Sequence, residues 1–380
     1  MRVLFLESFY GGSHRDVADS LVAFSQHAVS LETLPARFWK WRSRGASLEF
    51  ARRVPDPSGY DLVMCSGLTS IADLRAVWRD STPPILLYAH ETQLSYPVPD
   101  GGSVDVNYGM TDISNIAAAD YIAFNSATHR SCFLDQLPTF LRKLPDFRPM
   151  WIVEEIEQKS SVCYPGITVL SQSTVEAGSP PLTGGPHRPA SEARKPSVPS
   201  TSPLVIWNHR WEFDKNPELF FGALTTLAAE GIDFRVAVLG ENFQVQPGEF
   251  LTAREKLGER IVAFGYAPQK SDYLKWLQEG TVVVSTAIQE NFGIAVLEAV
   301  AAGCFPVLPR RLSYPEIIPE RFHDRCLYNS DTDLVSLLRH ILTEPKARTA
   351  ARELQSYALQ FAWPARVPEF DILMEKVAAL

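Results

Sequence analysis

Four charged residues in the second half of the chain stand at spacings that suit an anionic ligand carrying a sugar. Arg210 and Lys215 lie in "IWNHRWEFDKNP", and Glu290 and Glu298 lie in "STAIQENFGIAVLEAVAAG". Two cations in one loop can close on a diphosphate. The backbone N–H groups of Phe292, Gly293 and Ile294 open a helix, where the peptide dipoles also favour an anion. Gly293 removes the side chain that would hold a phosphate away. Carboxylates repel an anion, so Glu290 and Glu298 suit neutral hydroxyls such as those of a sugar. Helical side chains lean toward the helix N-terminus, which brings Glu298 back toward the mouth that Glu290 borders. Taken singly, each residue is equally well a surface charge or a dipole partner.

These loops need strands and helices to hold them. Short apolar runs predict strands at Leu204–Trp207, Phe234–Leu239, Ile261–Phe264, Thr281–Ser285, Phe305–Leu308 and Cys326–Tyr328. Amphipathic stretches predict helices at Pro217–Glu230, Lys270–Glu279, Ile294–Ala302, Leu334–Leu342 and Val367–Ala378. The first half repeats the alternation. Strands are expected at Arg2–Ser8, Val29–Leu34, Leu62–Cys65, Ile85–Tyr88 and Tyr121–Phe124. Helices are expected at Asp16–Gln26, within Trp39–Arg53, and at Ile71–Trp78, Asn107–Ala118 and Ala127–Gln136. Such alternation implies parallel sheets covered on both faces, with ligands at the carboxyl ends of the strands.

The 380 residues exceed one ordinary core. We therefore expect an α/β protein of two doubly wound, Rossmann-like domains facing a cleft. Residues 1–170 would form the first and 204–360 the second, with a helix at 361–380 returning to the first. Residues 171–203 hold seven prolines and three glycines with few large apolar side chains, the composition of a flexible linker.

The first half offers its own candidates. "FLESFYGGSHRD" breaks a strand at Gly11-Gly12, where something must approach the backbone, and His14 and Arg15 follow. It is not G-x-G-x-x-G, and no acidic residue ends the second strand, so a nicotinamide site is not expected. "YAHETQLSYP" ends a strand at His90-Glu91, and "YIAFNSATHR" ends one at Asn125-Ser126, where Ser126 is also a good helix cap. Asp331-Thr332-Asp333 is a D-x-D, but the apolar pattern after it reads as a helix, and capping is the better account.

Composition excludes other classes. Net charge is −8, which argues against a general polyanion binder while leaving room for a local basic patch. Five cysteines without C-x-x-C spacing predict neither disulfides nor a zinc site. No apolar run is long enough to span a membrane, and no leader precedes the first strand, so the cytoplasm is expected.

Arg-x4-Lys followed by Glu-x7-Glu in the second of two such domains resembles the retaining GT-B glycosyltransferases, in particular glycosyltransferase family 4. The resemblance implies that Arg210 and Lys215 bind the donor diphosphate without a metal ion or other cofactor. It implies that Glu290, with the backbone at Asn291, Phe292, Gly293 and Ile294, holds the sugar, and that Glu298 accepts from the nucleotide ribose. Gly11 and Gly12 would approach the donor, with His14 and His90 at the reaction edge beside Glu290. Arg15, Glu91, Asn125 and Ser126 would face the acceptor. His209 departs from the glycine that many relatives place before the arginine, which puts fine geometry in doubt.

"ESFYGGSH", "TLPARFWKWRSR", "YAHETQLSYP", "FNS", "HRWEFDKNP", "ENFGIAVLEAVAAGCFPVLP" and "YPEI" together resemble a smaller group, the tRNA-queuosine mannosyltransferases. That resemblance covers nearly the whole chain except the linker. It implies transfer of mannose from GDP-mannose, with retention, to the cyclopentenediol of queuosine at the wobble position of tRNA-Asp. Attack from the front face, with the departing phosphate assisting deprotonation, is the expected route. "PARFWKWRSRGASLEFARR" then gains interest, because Arg37, Lys40, Arg42 and Arg44 with Phe38, Trp39 and Trp41 suit the phosphates and unstacked bases of an RNA loop. An amphipathic helix with its aromatics in the core fits the same residues. Two alternatives stay open: a family 4 transferase acting on another glycan or small molecule, and a protein that binds RNA or a nucleotide sugar without turnover.

Overall fold

The computed structural model describes residues 1–96, 105–169, 201–240, 248–267 and 269–380. The linker call falls on 171–203, of which 171–200 lie outside the described residues. The chain divides into two compact units, Met1–Gly166 with Trp363–Leu380, and Ile167–Ala362.

Unit one runs β1 (Arg2–Tyr10), α1 (Gly12–Phe24), β2 (Ala28–Pro35), α2 (Trp39–Arg53), β3 (Leu62–Ser66), α3 (Ile71–Trp78), β4 (Ile85–Ala89), α4 (Val106–Ala118), β5 (Tyr121–Phe124), α5 (Ala127–Arg142), α6 (Trp151–Gln158) and β6 (Ser160–Val162). The strands form one parallel sheet in the order β2-β1-β3-β4-β5-β6. Side chains alternate across a strand, so β1 feeds two cores. Leu4 and Leu6 join Phe50, Ile113, Phe133 and Ile152 on one face, and Val3 and Phe5 join Val17 and Leu21 on the other.

Unit two runs β7 (Leu204–Trp207), α7 (Pro217–Ala229), β8 (Arg235–Leu239), α8 (Gly248–Leu257), β9 (Ile261–Gly265), α9 (Lys270–Glu279), β10 (Val282–Val284), α10 (Ile294–Ala302), β11 (Phe305–Pro309), α11 (Tyr314–Ile317), α12 (His323–Cys326), β12 (Leu327–Tyr328), α13 (Asp331–Thr343) and α14 (Ala351–Ala358). Its parallel sheet has the order β12-β11-β10-β7-β8-β9. The chain builds outward from β7 to one side, then returns to build from β10 to the other. Strand order therefore reverses between β7 and β10, and such a reversal opens a crevice at the strands' carboxyl ends.

Every strand read from the sequence is present, with ends within two residues of those expected. The helix expected from Asp16 instead begins at Gly12, which has φ +51° directly after the extended Gly11. A β-carbon at Gly11 would come within 2.6 Å of the Ala36 β-carbon. The glycine pair thus turns strand into helix with no loop, and His14 and Arg15 become first-turn helix residues. Asp331-Thr332-Asp333 opens α13, with the Ser330 hydroxyl accepting the Asp333 N–H at 3.2 Å.

After unit two the chain returns as α15 (Trp363–Ala378), which packs in unit one. It buries Trp363, Val367, Phe370, Leu373, Met374 and Val377 against Val3, Phe5, Leu86 and Tyr88. Gly166 makes room for it, since a β-carbon there would come within 2.3 Å of the Trp363 ring. Six such side chains, at about 1.5–3 kcal/mol each, contribute roughly as much as the 5–15 kcal/mol net stability of a whole domain. We expect a chain ending at Ala362 to leave unit one uncollapsed. Limited proteolysis should then degrade residues 1–166 while a fragment of unit two survives. Equal protection of both units would show that α15 is dispensable.

Candidate functional site

The crevice of unit two is bounded by the loops that follow β7 and β10. Asn216 takes a left-handed turn (φ 47°) and caps α7, accepting the Leu219 N–H at 3.3 Å. This fixes the residues before it. Lys215 is 6% exposed, and its ammonium donates to the Gln289 carbonyl at 2.6 Å. Asp214 Oδ2 lies 3.2 Å from that nitrogen and Glu290 Oε2 lies 3.5 Å from it. The backbones are joined as well. Ile288 N–H donates to the Asp214 carbonyl at 2.7 Å, and the Thr286 hydroxyl reaches the Lys215 and Asn216 carbonyls at 2.8 and 2.9 Å.

Glu290 therefore sits at a fixed place. Burial works against its charge, but Lys215, His209 and Arg210 outweigh it and hold its pKa below the usual range. Burial, with Lys215 adding to it, pushes His209 down to about 4, so this imidazole is neutral near pH 7. Arg210 is exposed, with its guanidinium 3.5 Å from Glu212. Unlike Lys215, it stands where a ligand can meet it. Past Glu290 the chain passes Asn291 and Phe292 to Gly293, whose φ of +103° starts α10 at Ile294 without a side-chain cap. A β-carbon at Gly293 would meet Ile317 of α11 at 3.0 Å, and the Ser313 hydroxyl holds the Phe292 carbonyl at 2.8 Å. This is the role of "YPEI" in the fold: it shores up the turn from beneath.

Glu298 does not join the Lys215 cluster. It is 3% exposed and accepts from Lys270 Nζ at 2.8 Å, the Tyr273 hydroxyl at 3.0 Å and the Thr168 N–H at 3.4 Å. Asn208, just after β7, links this group to the first crevice wall by donating to the Tyr273 oxygen at 2.9 Å and the Ala295 carbonyl at 2.7 Å. Asn208, Asp214, Lys270 and Tyr273 are site residues that sequence reasoning missed. Asp214-Lys215 was visible as an adjacent opposite pair. The Lys270–Glu298 pair spans two helices, and nothing in the local sequence announces it.

In unit one, Glu7 lies within an otherwise apolar strand and is fully buried. Its carboxylate accepts the Phe9 N–H at 2.7 Å and the Ser66 hydroxyl at 2.9 Å, and His14 Nδ1 lies 3.2 Å from both of its oxygens. The His14 ring stacks on His90 with centroids 3.9 Å apart. Burial above all, then His14 and His129, keeps His90 well below the usual histidine range. One ligand atom from each of Glu7, His14 and His90 lies within 4.8 Å of the others, a spacing that could admit a metal ion. Glu7 already has three polar partners around it. A carboxylate at the end of the apolar run Val3–Leu6 was the signal that could have found it.

Gly11 and Gly12 form the turn before His14, as described. Arg15 is half-buried and turned back to Asp19 at 3.1 Å and over the Tyr10 ring. Glu91 is partly exposed beside these groups. Asn125 and Ser126, expected to face the acceptor, both have partners within unit one. Asn125 donates to the His90 carbonyl at 2.9 Å and meets His129 at 2.8 Å, while Ser126 is fully buried and caps α5 by accepting the His129 N–H at 2.9 Å. Their polar atoms hold the floor of the site.

The basic-aromatic segment presents its rings outward. Its core face is Ser43, Ala46, Ser47, Phe50 and Ala51. Phe38 holds a left-handed backbone (φ 55°) at the start of α2 and is 71% exposed, and Trp41 is 66% exposed. Arg37 lies over Phe38, and Lys40 lies over Trp39, which is tilted against Tyr108. Arg52 and Arg53 are paired with Glu49. Among the described residues no carboxylate pairs with Arg37, Lys40, Arg42 or Arg44.

Replacing Lys215 with alanine should destabilise unit two by ~3–5 kcal/mol, because it leaves buried carboxylates uncompensated. Arg210→Ala should change stability by less than ~0.5 kcal/mol, since its side chain is exposed. Urea midpoints of the two variants measure the contrast, and equal midpoints would contradict it.

The chain is similar to known proteins in both sequence and fold. Residues 2–167 match the model of the tRNA-queuosine alpha-mannosyltransferase N-terminal family, and residues 190–356 match that of glycosyl transferases group 1. A tRNA-queuosine alpha-mannosyltransferase of Drosophila melanogaster is 35% identical over 357 residues, covering 92% of this chain and 89% of that one. A GDP-mannose-dependent alpha-(1-6)-phosphatidylinositol dimannoside mannosyltransferase of Mycobacterium tuberculosis is 26% identical over 192 residues, about half of each chain. Among solved structures, sucrose-phosphate synthase of Thermosynechococcus elongatus shares the fold with a TM-score of 0.72 at 15% identity, over the full length of both. Anabaena HepE in complex with UDP does so at 0.67 and 15%, again over both full lengths.

Proposed function

This chain belongs to the tRNA-queuosine alpha-mannosyltransferase family, and on that premise we propose a course for its reaction. The enzyme is a GT-B hexosyltransferase that moves mannose to queuosine in tRNA. Its donor in our reading is GDP-mannose, and the product keeps the anomeric configuration. The observation that carries this reading is the crevice of unit two, where Arg210 and Lys215 stand with Glu290 at the open start of α10. Arg210 meets the leaving diphosphate with no metal ion, and the buried Lys215 adds its positive charge from behind the Glu290 turn. Glu290 and the backbone from Asn291 to Ile294 hold the mannose. Glu298, its carboxylate fixed by Lys270 and Tyr273, takes the ribose diol.

Preorganised cations at a developing diphosphate charge do most of the catalytic work in such a site. No second carboxylate is required as a nucleophile, because the acceptor hydroxyl attacks from the face that the diphosphate leaves. The acceptor side is unit one, with Gly11, Gly12, His14, His90 and Glu91 at the reaction edge. The wobble nucleotide of tRNA-Asp is the acceptor, and the cytoplasm is the compartment where the enzyme meets it. Among the described residues no helix is long and apolar enough to cross a membrane.

Radiolabelled GDP-mannose should label tRNA carrying queuosine and leave matched tRNA carrying guanosine unlabelled, with no loss of rate in EDTA. Equal labelling of both tRNAs would overturn the acceptor. A rate abolished by EDTA and restored by magnesium or manganese would overturn the metal-free route.

The exposed rings of α2 and its cations support RNA contact by an otherwise acidic protein. Bases stack on such rings at about 1–3 kcal/mol each. Arg42→Glu with Arg44→Glu should raise the KM for tRNA and flatten its salt dependence by about one unit of slope per lost phosphate contact. Slow hydrolysis of the donor without tRNA should be unchanged. An unaltered salt slope would remove α2 from the interface.

A further inference from the structure

We propose that the connection from α5 to α6 is a second contact for the acceptor RNA. Phe147 stacks on an unpaired base there, and Arg142, Lys143 and Arg148 meet phosphates. The proposal rests on the reading above that α2 takes the tRNA. All of these residues belong to unit one.

Four observations carry this. The first is exposure. Phe147 is 89% exposed, and Trp151, which opens α6, is 66% exposed. One such ring is ordinary on a surface. Two in one short connection, with the exposed Met150 between them, form a patch. The second is the backbone. Phe147 holds φ 45°, a left-handed conformation that is unfavourable for a bulky residue. Phe38, at the start of α2, holds φ 55° and is exposed as well. Among the described residues these are the two aromatic side chains on a left-handed backbone. Strain of this kind persists at ligand clamps. Pro145 and Pro149 flank Phe147, and the Asp146 carboxylate accepts its N–H at 2.8 Å. The ring is therefore held outward before anything binds, which lowers the cost of binding.

The third is charge. Arg142, Lys143 and Arg148 are exposed, and Arg148 donates to the Leu144 carbonyl at 3.2 Å. Among the described residues no carboxylate pairs with any of the three. Nearby carboxylates are engaged: Asp146 as above, Glu154 by Gln158 and Glu155 by Lys159. Cations beside exposed rings match the phosphates and bases of unpaired RNA. A second copy docking here by twofold symmetry would bring the same cations face to face. The fourth is continuity with α2. The Trp39 ring lies 5.1 Å from the Tyr108 ring of α4, and Lys40 Nζ lies 5.9 Å from it. At the next residue, a β-carbon on Gly109 would come within 2.7 Å of Phe140, in the last turn of α5. Gly109 thus lets the end of α5 close on α4. The two basic-aromatic segments border one helix start.

The test uses the full chain and queuosine-containing tRNA-Asp without donor, with binding read by fluorescence anisotropy. Phe147→Ala should weaken binding by about 5- to 140-fold, which is one base–aromatic stack at about 1–3 kcal/mol. Phe147→Tyr keeps a flat ring and should stay within about twofold of wild type. Phe147→Gly should bind as weakly as the alanine variant without a lower urea midpoint, because glycine accepts the left-handed backbone. Binding of a fully paired RNA duplex should be unchanged in Phe147→Ala, since its bases are stacked on one another. Arg142→Gln with Lys143→Gln should flatten the salt dependence by about one unit of slope per lost phosphate contact. Wild-type tRNA affinity in Phe147→Ala, an equal loss for tRNA and duplex, or an unaltered salt slope would each overturn the proposal. So would an unchanged tRNA affinity accompanied by loss of a dimer in sedimentation, which would assign the rings to a second copy. A loss in Arg42→Glu with Arg44→Glu but none in Phe147→Ala sinks this proposal alone. A wild type that does not bind the tRNA sinks the functional reading, and this proposal with it.

Discussion

A buried ammonium decides the shape of the crevice in unit two. Lys215 is nearly inaccessible, yet carries a charge between Asp214 and Glu290. Burying one unpaired ion costs several kcal/mol, and removing a partner leaves that cost standing. The loop after β7 and the loop after β10 are consequently not free to move apart. Each supplies part of the other's electrostatic environment, and backbone hydrogen bonds from Thr286 and Ile288 reinforce the join. What the loops expose is set by what they bury: Arg210 outward, the Glu290 turn held still, and α10 starting at a glycine.

Unit one uses the same strategy with different chemistry. A carboxylate in the middle of β1 is tolerated because Phe9, Ser66 and His14 surround it. The cost of burying Glu7 is met by holding the residue beyond the glycine turn in one orientation. Asn125 and Ser126 do the same for the far wall by fixing the His90 carbonyl and the start of α5. In both units the groups that contact ligand in our reading are few, and a larger set of buried polar groups holds them.

Much of this was legible in the sequence, and the failures have physical causes. Apolar runs buried on both faces of a parallel sheet are conspicuous, so the strands were readable. The shortest elements with few apolar residues were not. β6 is only Ser160–Val162, and α6 buries just Ile152 and Ile156. Spacing flagged Arg210, Lys215, Glu290 and Glu298, but could not show that Glu298 belongs with Lys270 and Tyr273, since that grouping exists only after α9 and α10 pack. For α2 the sequence allowed the aromatics to be core or surface. Small residues at Ser43, Ala46 and Ser47 settled it by bringing the helix close to the sheet, leaving Phe38 and Trp41 outside. The partners of Asn125 and Ser126 within unit one could not be read either, because a residue ending a strand looks the same in sequence whatever it faces.

The return of α15 to the first unit has a consequence for how the chain is born. A ribosome makes β1 before unit two and α15 after it. Until residues 363–380 emerge, Val3, Phe5 and Tyr88 lack the cover they have in the finished fold. Unit two has its whole sequence available before then. Domains commonly fold in order of synthesis; here unit one lacks part of its core until α15, which is made after unit two, has emerged. During that wait an apolar sheet face that α15 covers in the finished fold is open to water.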